Sequence, residues 1–306
     1  MPLVSVIIPN YNHADFLQSR IESVLKQTYT NFEVIILDDC STDVSKSIIE
    51  SYKNESKLQE TVYNKTNSGS PFKQWKKGIE LSKGEYIWIA ESDDLAESSF
   101  LQTLTTLLLN NPDCSFAFCD SCTDLNSYLH KKIKASVEIE IYNGEKFIFQ
   151  HNIKPKFINA SSVVFKKDNI NATILNKFTE YNYSGDWLFW TGLALNGNVI
   201  RYAEELNFYR RHMASVSDIA YKNGKYLLEA FKIMYYFKSN LNIYPSKPQI
   251  KKWASAWAVS KLQNKLKSNC ILFYSTKVSY QLILFYLYYI YKYKLYNLFH
   301  KSKIFS

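Results

Sequence analysis

The sequence predicts an α/β fold with a mostly parallel central sheet and helices on both faces. In the first hundred residues, short apolar runs rich in β-branched residues alternate with segments of helical periodicity. Each run also stops at a polar or acidic turn. In open parallel sheets ligands bind beyond the carboxyl ends of the strands. The pattern therefore predicts both the fold class and the edge of the sheet that carries the site.

Four strands and three helices are predicted in order. The strands are the apolar runs at residues 3–9, 32–37, 61–63 and 85–90. Helical periodicity follows each of the first three strands. Residues 41–43 are expected to open the second helix, and Ser70 and Pro71 suit the cap and first position of the third. That third helix is expected to turn Phe72, Trp75 and Ile79 towards the sheet.

An acidic cluster, Glu91-Ser92-Asp93-Asp94, follows the fourth strand directly. Three carboxylates within four residues repel one another, so the cluster predicts a cation beside it. Hard oxygen ligands favour Mg²⁺ or Mn²⁺, which usually bring phosphates. The alternative is a solvated acidic turn that caps the next helix.

Five strings in order and spacing resemble the family 2 glycosyltransferases of GT-A fold. They are VSVIIPNYNHADFL, FEVIILDDCSTD, NSG with KKGIELSKGEYIWIAESDD, SGDWLFW, and YRRHMASVS. The likeness covers residues 1–217. It implies an inverting enzyme that takes a sugar from a nucleotide diphosphate donor, usually with a divalent metal, here Mn²⁺ or Mg²⁺.

The resemblance assigns the nucleoside to residues after the first two strands. Pro9 and Tyr11 would wall the base, and Asp39, with Asp38 beside it, would accept a hydrogen bond from the base N–H. The acidic pair could also cap a helix that starts near Thr42.

The family's Asp-x-Asp element corresponds to Glu91-Ser92-Asp93, followed by Asp94. Its first member is glutamate here, a longer arm that can reach the ribose or metal differently. The resemblance gives the metal to Asp93, with Asp94 as the second candidate.

Asn67 and Lys76 are expected at the same edge as donor-binding residues. The family often has asparagine where this chain has Lys76, two residues before a glycine. A lysine can contact phosphate directly, so this departure leaves the phosphate contacts open.

Asp186 corresponds to the family's general base. The family commonly has an acidic pair there, and Gly185 replaces its first member in this chain. The base must take a proton from the acceptor hydroxyl, and a setting of tryptophan and phenylalanine would raise its pKa towards a useful range. The alternative is an N-cap aspartate in front of an aromatic core helix.

The string YRRHMAS matches the family's Tyr-Arg-x-His-x-x-Ser. His212 would reach the metal or diphosphate, and Arg210 or Arg211 would offset charge on the leaving group. Residues 159–162, which precede a further predicted strand at residues 163–165, correspond to the part of the family fold that lines the acceptor side.

Positive charge is concentrated in the last part of the chain. Residues 225–306 carry a net +13, whereas residues 1–224 carry −4. The apolar, tyrosine-rich run at residues 278–291 is free of charge but shorter than the ~20 residues that span a bilayer. We therefore expect a catalytic domain at 1–217 and a helical region at 218–306 that lies on an anionic membrane surface.

The composition of the chain also bears on other partners. The helical region could instead pack on the catalytic domain or a second subunit, so oligomerisation stays open. No aromatic-basic RNA-binding signature is present, and nucleic acid is not expected. The chain begins directly with a strand, which favours the cytoplasmic face of the membrane. Five cysteines with one isolated C-x-x-C favour reduced thiols over zinc.

The sequence thus predicts metal-dependent, inverting transfer of a sugar, with a UDP-sugar favoured as donor, to a glycan or lipid-linked acceptor in cell-surface polysaccharide assembly. Two alternatives remain: an inactive GT-A-like binding module, and a sugar-nucleotide nucleotidyltransferase. The second needs a glycine-rich phosphate loop near the amino terminus, and residues 10–13 do not supply one.

Overall fold

A computed structural model describes residues 1–129, 137–150, 159–210, 220, 224–263 and 270–299. The chain divides into two compact units, Met1–Arg211 and His212–Ser306. The first is an α/β unit, and the second is helical where it is described. The predicted fold class is confirmed.

In the described part of the first unit, nine strands form one sheet in the order β3-β2-β1-β4-β8-β6-β9-β5, with β7 paired to β9. The strands are β1 (Val4–Asn10), β2 (Phe32–Asp38), β3 (Leu58–Tyr63), β4 (Tyr86–Ile89), β5 (Leu95–Ala96), β6 (Cys114–Cys122), β7 (Ile139–Tyr142), β8 (Val163–Lys166) and β9 (Asn198–Phe208).

The half of the sheet that positions the site is parallel. Strand β1 pairs in parallel with β2 and with β4, and β2 pairs in parallel with β3. Asn10 at the end of β1 stands opposite Asp38 at the end of β2, which stands opposite Tyr63 at the end of β3. The register therefore brings these strand ends to one edge, as the sequence predicts.

Helices cover the sheet on both faces. They are α1 (Ala14–Leu25), α2 (Ser45–Ser51), α3 (Pro71–Leu81), α4 (Phe100–Asn110), α5 (Leu125–Leu129), α6 (Gly144–Gln150), α7 (Ala172–Lys177) and α8 (Gly185–Leu195). Leu17 of α1 and Leu104 of α4 join Val6 and Ile8 of β1 in one core cluster. Ile7 points to the opposite face, because a Cβ at Gly78 of α3 would lie 2.4 Å from its side chain.

Helix α2 begins at Ser45, later than residues 41–43 where the sequence predicts its start. Side-chain hydrogen bonds explain the delay. Asp38 accepts from the Ser41 N–H at 2.9 Å, and Asp43 accepts from the N–H groups of Ala14 and Ser45. Such local bonds stabilise a turn in place of the first helical residues.

The second unit contains four helices in its described residues: α9 (Lys225–Asn240), α10 (Lys247–Leu262), α11 (Cys270–Val278) and α12 (Tyr280–Phe299). Aromatic contacts hold them together, with Trp257 of α10 stacked on Tyr286 of α12 at 3.8 Å between ring centroids. Phe231 of α9 meets the same tryptophan edge-on. None of the helices described is long and apolar enough to cross a membrane.

Candidate active site

The ends of β1 and β2 form a polar edge fixed by asparagine and serine. Asn10 donates from Nδ2 to Asp38 Oδ1 at 2.8 Å, and Asp38 Oδ2 accepts from the Ser41 N–H. Pro9 is buried in β1, whereas Tyr11, just beyond the strand, is 46% exposed. Of the two residues predicted to wall the base, Tyr11 is the one with a face open to a ligand.

Asp39 is buried and already receives donors from the protein. Its Oδ1 accepts from Asn64 Nδ2 at 2.6 Å and Gln74 Nε2 at 2.8 Å, and its Oδ2 accepts from Ser68 Oγ at 2.7 Å. The Ser68 N–H adds a further bond. Asp39 therefore holds the loop between β3 and α3 in place, and little acceptor capacity remains for a base N–H.

The other donor-side residues shape the same loop. Asn67 accepts from the Gly69 N–H at 2.7 Å and donates to the Asp39 carbonyl, which fits the φ of 75° at Gly69. Lys76 pairs with Glu80 one turn later at 3.3 Å, and both side chains are partly exposed. This surface pair is weak, so Lys76 can exchange it for an anion at little cost.

Glu91 is the first residue of the acidic turn, two residues after the end of β4, and its side chain is half-buried. Trp75 of α3 donates its indole N–H to Glu91 Oε1 at 2.7 Å. Burial, helped by the nearby Asp93 charge, raises the pKa of Glu91 to about 8. The side chain thus makes a fixed hydrogen bond inside the protein.

Asp94 is almost fully buried and accepts hydrogen bonds from the chain. Its Oδ1 accepts from the Arg210 N–H at 3.0 Å, and its Oδ2 accepts from Asn159 Nδ2. Burial and the adjacent Asp93 charge raise its pKa well above the usual range. Asp93, between these two acids, is half-buried, so it is the more accessible carboxylate of the pair with Asp94.

Arg20 of α1 supports the acidic turn from inside. Its Nε donates to the Glu91 carbonyl at 2.8 Å, and its guanidinium lies 5.1 Å from the Trp88 ring centroid. The two terminal nitrogens are buried without a hydrogen-bond partner among the described atoms. Burial lowers the pKa of Arg20, and Asp94 and Asp93 counter that effect. Arg20 is thus a buried cation beside the cluster.

Ser92 and His13 connect the acidic turn to the end of β1. Ser92 is buried, and its Oγ lies 2.8 Å from His13 Nδ1 just before α1. The bond joins the loops that follow β1 and β4. It also places a titratable imidazole next to residues predicted to bind the donor.

The described residues fit a divalent cation that also uses ligand oxygens. They contain no group of three His, Cys, Asp or Glu side chains able to hold a metal by themselves. Mg²⁺ and Mn²⁺ are often bound by one or two carboxylates together with substrate phosphates. Asp93 is half-buried and more exposed than Asp94, which makes it the candidate carboxylate for such an ion.

Asp186 lies in the first turn of α8, where the helix dipole favours a carboxylate. Close packing explains why a glycine, Gly185, precedes it. A Cβ at Gly185 would lie 2.5 Å from the Phe178 carbonyl oxygen and 2.6 Å from Phe72 Cδ2. An acidic side chain at position 185 would not fit without backbone movement, which accounts for the missing first acid.

Trp75 joins the acidic turn to the helix of Asp186. Besides its bond to Glu91, its ring lies 6.1 Å from Phe189 and 5.9 Å from Trp190, both on α8. The predicted acidic site and the predicted base are thus attached to one aromatic cluster.

Arg210 follows β9, and its guanidinium lies 4.5 Å from the Phe16 ring centroid. Its backbone N–H, bonded to Asp94, brings the start of the YRRHMAS string to the acidic turn. Arg211 and His212, predicted to contact the diphosphate and metal, lie outside the described residues.

Three contributors to this site were not predicted as such: Arg20, His13 and Trp75. Trp75 was expected only as a core residue on the helix after β3. Arg20 interrupts the apolar face of α1 between Leu17 and Ile21, and a charged residue at that position was the available signal.

A family model matches residues 5–170, which include the strand ends and the acidic turn, and it describes glycosyl transferase family 2. The chain belongs to glycosyl transferase family 2. The family resemblance and the α/β fold expected from it are therefore confirmed.

Curated relatives agree with this membership. An uncharacterized glycosyltransferase of Haemophilus influenzae is 27% identical over 71% of this chain and 68% of its own length. The putative teichuronic acid biosynthesis glycosyltransferase TuaG of Bacillus subtilis is 33% identical over 42% of this chain and 53% of its own. WfgD of Escherichia coli, a UDP-Glc:alpha-D-GlcNAc-diphosphoundecaprenol beta-1,3-glucosyltransferase, is 26% identical over 73% and 83%. The aligned regions thus span about half of TuaG and most of WfgD.

Solved structures share the fold of this family 2 member. Residues 1–349 of S. aureus TarS, in complex with UDP-GlcNAc, superpose with a TM-score of 0.66 at 17% identity, covering 95% of this chain and 91% of that one. The mannosyltransferase PcManGT from Pyrobaculum calidifontis, in complex with GDP-Man and Mn²⁺, gives 0.52 at 14% identity, covering 98% and 88%. At these identities the likeness shows the GT-A fold alone.

Proposed function

We propose that this family 2 member transfers a sugar from a UDP-sugar to a hydroxyl of a glycan or lipid-linked acceptor in cell-surface polysaccharide assembly. The observation that carries the proposal is the acidic turn, whose half-exposed Asp93 lies between two carboxylates engaged with protein donors. The names of two relatives support the substrate class: WfgD is a UDP-Glc:alpha-D-GlcNAc-diphosphoundecaprenol glucosyltransferase, and TarS is a poly(ribitol-phosphate) beta-N-acetylglucosaminyltransferase.

Asp186 is the general base of this proposal. Its carboxylate takes the proton of the acceptor hydroxyl while that oxygen attacks the anomeric carbon and the bond to the diphosphate breaks, which inverts the anomeric centre. Fixed packing of α8 on Trp75 favours a constant position of the base relative to the acidic turn.

Asp93 would hold Mn²⁺ or Mg²⁺ together with oxygens of the donor diphosphate. When bound, the ion supplies positive charge for the leaving diphosphate. Glu91 and Asp94 keep the turn in shape through Trp75, Asn159 and the Arg210 N–H. Arg210, Arg211 and His212 remain proposed partners of the diphosphate or the ion.

On the nucleoside side, Tyr11 offers an exposed ring to the base, and Pro9, buried at the end of β1, is the second proposed wall residue. Asp38 and Asp39 fix the strand-end loops, and a base N–H would share their carboxylates with the existing donors. Asn67 and Lys76 border the same edge, where Lys76 is the proposed phosphate contact.

The proposed place of action is the inner face of the membrane. Residues 225–306 carry a net +13, which favours an anionic lipid surface. In this proposal residues 1–217 form the catalytic domain, and residues 218–306 bring it to a lipid-linked acceptor.

A donor screen tests the function. Purified protein would be incubated with UDP-Glc, UDP-GlcNAc and GDP-Man, with and without Mn²⁺, and nucleotide release would be followed. The proposal expects Mn²⁺-dependent release of UDP from at least one UDP-sugar. UDP binding without release from any of these donors, also when glycan acceptors are added, would support the inactive binding module instead.

Calorimetry of UDP binding tests whether Asp93 is a ligand of the metal ion. In the wild type, Mn²⁺ is expected to tighten UDP binding, because the ion bridges carboxylate and diphosphate. In Asp93→Ala this enhancement should be lost. If the variant keeps the full enhancement, the ligand role moves to Asp94 or Glu91.

A further inference from the structure

Helix α12 exposes a stripe of apolar and aromatic side chains. The stripe consists of Tyr280, Leu284, Leu287, Tyr288 and Tyr291, and we name it the outer stripe. Each member is at least 55% exposed. Their spacing follows the helical repeat, so all five lie along one face of the helix. At about 1.5 Å per residue the stripe is about 17 Å long.

The opposite face of α12 is the one that packs within its unit. Leu282 is fully buried, Tyr286 stacks on Trp257, and Tyr293 bonds to Ser255 at 2.7 Å between the two hydroxyl oxygens. The helix is therefore seated on its neighbours, and the outer stripe is not its packing face. An exposed row of apolar and aromatic side chains of this kind marks an interaction site.

The charges around the outer stripe select its partner. Lys292 and Lys294 follow the stripe and are both exposed. At about 100° of rotation per residue they flank its two sides. The region from residue 225 onwards carries +13, so two copies of this unit placed face to face would repel each other. An anionic lipid surface complements both the lysines and the apolar stripe.

We infer that the outer stripe is the surface through which this chain lies on an anionic phospholipid bilayer, with α12 parallel to the membrane plane. Leu284 and Leu287 enter the outer acyl region, the tyrosines lie at headgroup depth, and Lys292 and Lys294 meet the phosphates. The inference rests on the membrane location proposed above and specifies the surface responsible.

Vesicle flotation of the full chain tests it. The vesicles contain phosphatidylglycerol and phosphatidylethanolamine, and matched vesicles contain phosphatidylcholine alone. The double variant Leu284→Gln/Leu287→Gln should partition at least about tenfold more weakly to the anionic vesicles, because it removes most of the apolar burial. Leu109→Gln, a change at a 48% exposed leucine of α4, is the matched control and should float like the wild type.

Lys292→Gln/Lys294→Gln separates the electrostatic contribution. This variant should bind anionic vesicles more weakly while its small affinity for phosphatidylcholine stays unchanged, and added salt should reduce the difference. Circular dichroism melts of every variant show that the helices remain folded.

Two results would overturn the inference. One is equal flotation of the Leu284→Gln/Leu287→Gln variant and the wild type. The other is a wild-type dimer in sedimentation that the same variant dissociates, which would make the outer stripe a protein interface. UDP calorimetry on the wild type keeps the two questions apart. A wild type that does not bind UDP refutes the proposed function, whereas a wild type that binds UDP but does not float with anionic vesicles refutes only the membrane surface.

Discussion

Trp75 donates a hydrogen bond to Glu91, one of three neighbouring acids whose surroundings in the fold differ. Glu91 accepts from Trp75 of α3, Asp94 accepts from Asn159 and the Arg210 N–H, and Asp93 is more exposed than Asp94. Electrostatic repulsion among them is offset by the buried Arg20. Burial and hydrogen bonding therefore assign the roles that three similar side chains can take.

The raised pKa of Glu91 predicts a pH dependence of stability in metal-free protein. Its folded pKa of about 8 lies above its ordinary value, so its contribution to the free energy of unfolding is present at low pH and is lost as pH rises towards 8. Urea unfolding in EDTA should show decreasing stability from about pH 5 to about pH 8. Glu91→Gln should flatten that decrease, and an unchanged slope would contradict the assignment.

Arg20→Met tests the buried cation. The change keeps the volume and removes the charge beside Asp93 and Asp94. We expect it to destabilise the protein by about 1–3 kcal/mol near pH 8, because it leaves buried carboxylates uncompensated. Near pH 5, where the raised pKa values keep Glu91 and Asp94 protonated, the loss should be smaller. An equal loss at both pH values would point to packing alone. Urea unfolding of both proteins measures this.

Site residues that belong to contiguous sequence strings were predictable. Residues that reach the site only through tertiary contacts were not. The acidic turn and the strand ends are contiguous strings, so their place at the carboxyl edge follows from the parallel pattern. Arg20, 71 residues before its partner Glu91, and Asn159, 65 residues after Asp94, meet these acids only through the fold. Asp39 accepts hydrogen bonds from Asn64, Ser68 and Gln74, partners that the sequence did not indicate, and its contact with the base stays a prediction.

At the scale of elements, the start of α8 is set by how closely its first residue packs. Gly185→Ala should destabilise the protein, because the new Cβ would lie 2.5 Å from a backbone carbonyl oxygen. Gly192→Ala on the same helix is the matched control, since its Cβ would meet the flexible end of Ile174.

The two glycine variants are compared by thermal melting. We expect Gly185→Ala to cost about 1–3 kcal/mol from overpacking. For Gly192→Ala, the gain of about 1 kcal/mol in helix propensity should offset much of the clash. A Gly192→Ala variant that is the less stable of the two would contradict the packing account of position 185.

Strand prediction succeeded in the first half of the sheet and was incomplete in the second. Strands β1 to β4 are uninterrupted apolar runs joined by helical segments, and the predicted parallel order follows from that alternation. Strand β8 was predicted, but its antiparallel pairing with β4 and β6 was not. Its partners are distant along the chain, and no local periodicity specifies which strands meet.

At the scale of the whole molecule, the positively charged part of the chain begins close to the boundary between the two compact units. The first unit ends at Arg211, and the excess positive charge lies beyond residue 224. The proposed nucleotide residues, apart from His212, all belong to the first unit. The fragment 1–217 should therefore fold cooperatively and bind UDP with an affinity within about threefold of the full chain, a difference of less than 1 kcal/mol. A fragment that melts without cooperativity, or that loses UDP binding, would show that the catalytic part depends on the second unit.

The central claim is that Asp186 removes the acceptor proton while residues at the strand ends hold the donor. The most direct measurement compares Asp186→Asn with the wild type in sugar transfer and in UDP-sugar binding, using the donor and acceptor found in the screen. The substitution keeps the shape and removes the basicity. We predict that transfer falls by about 10²–10⁴-fold while donor binding is nearly unchanged. Transfer close to the wild-type rate, with donor binding intact, would contradict the claim.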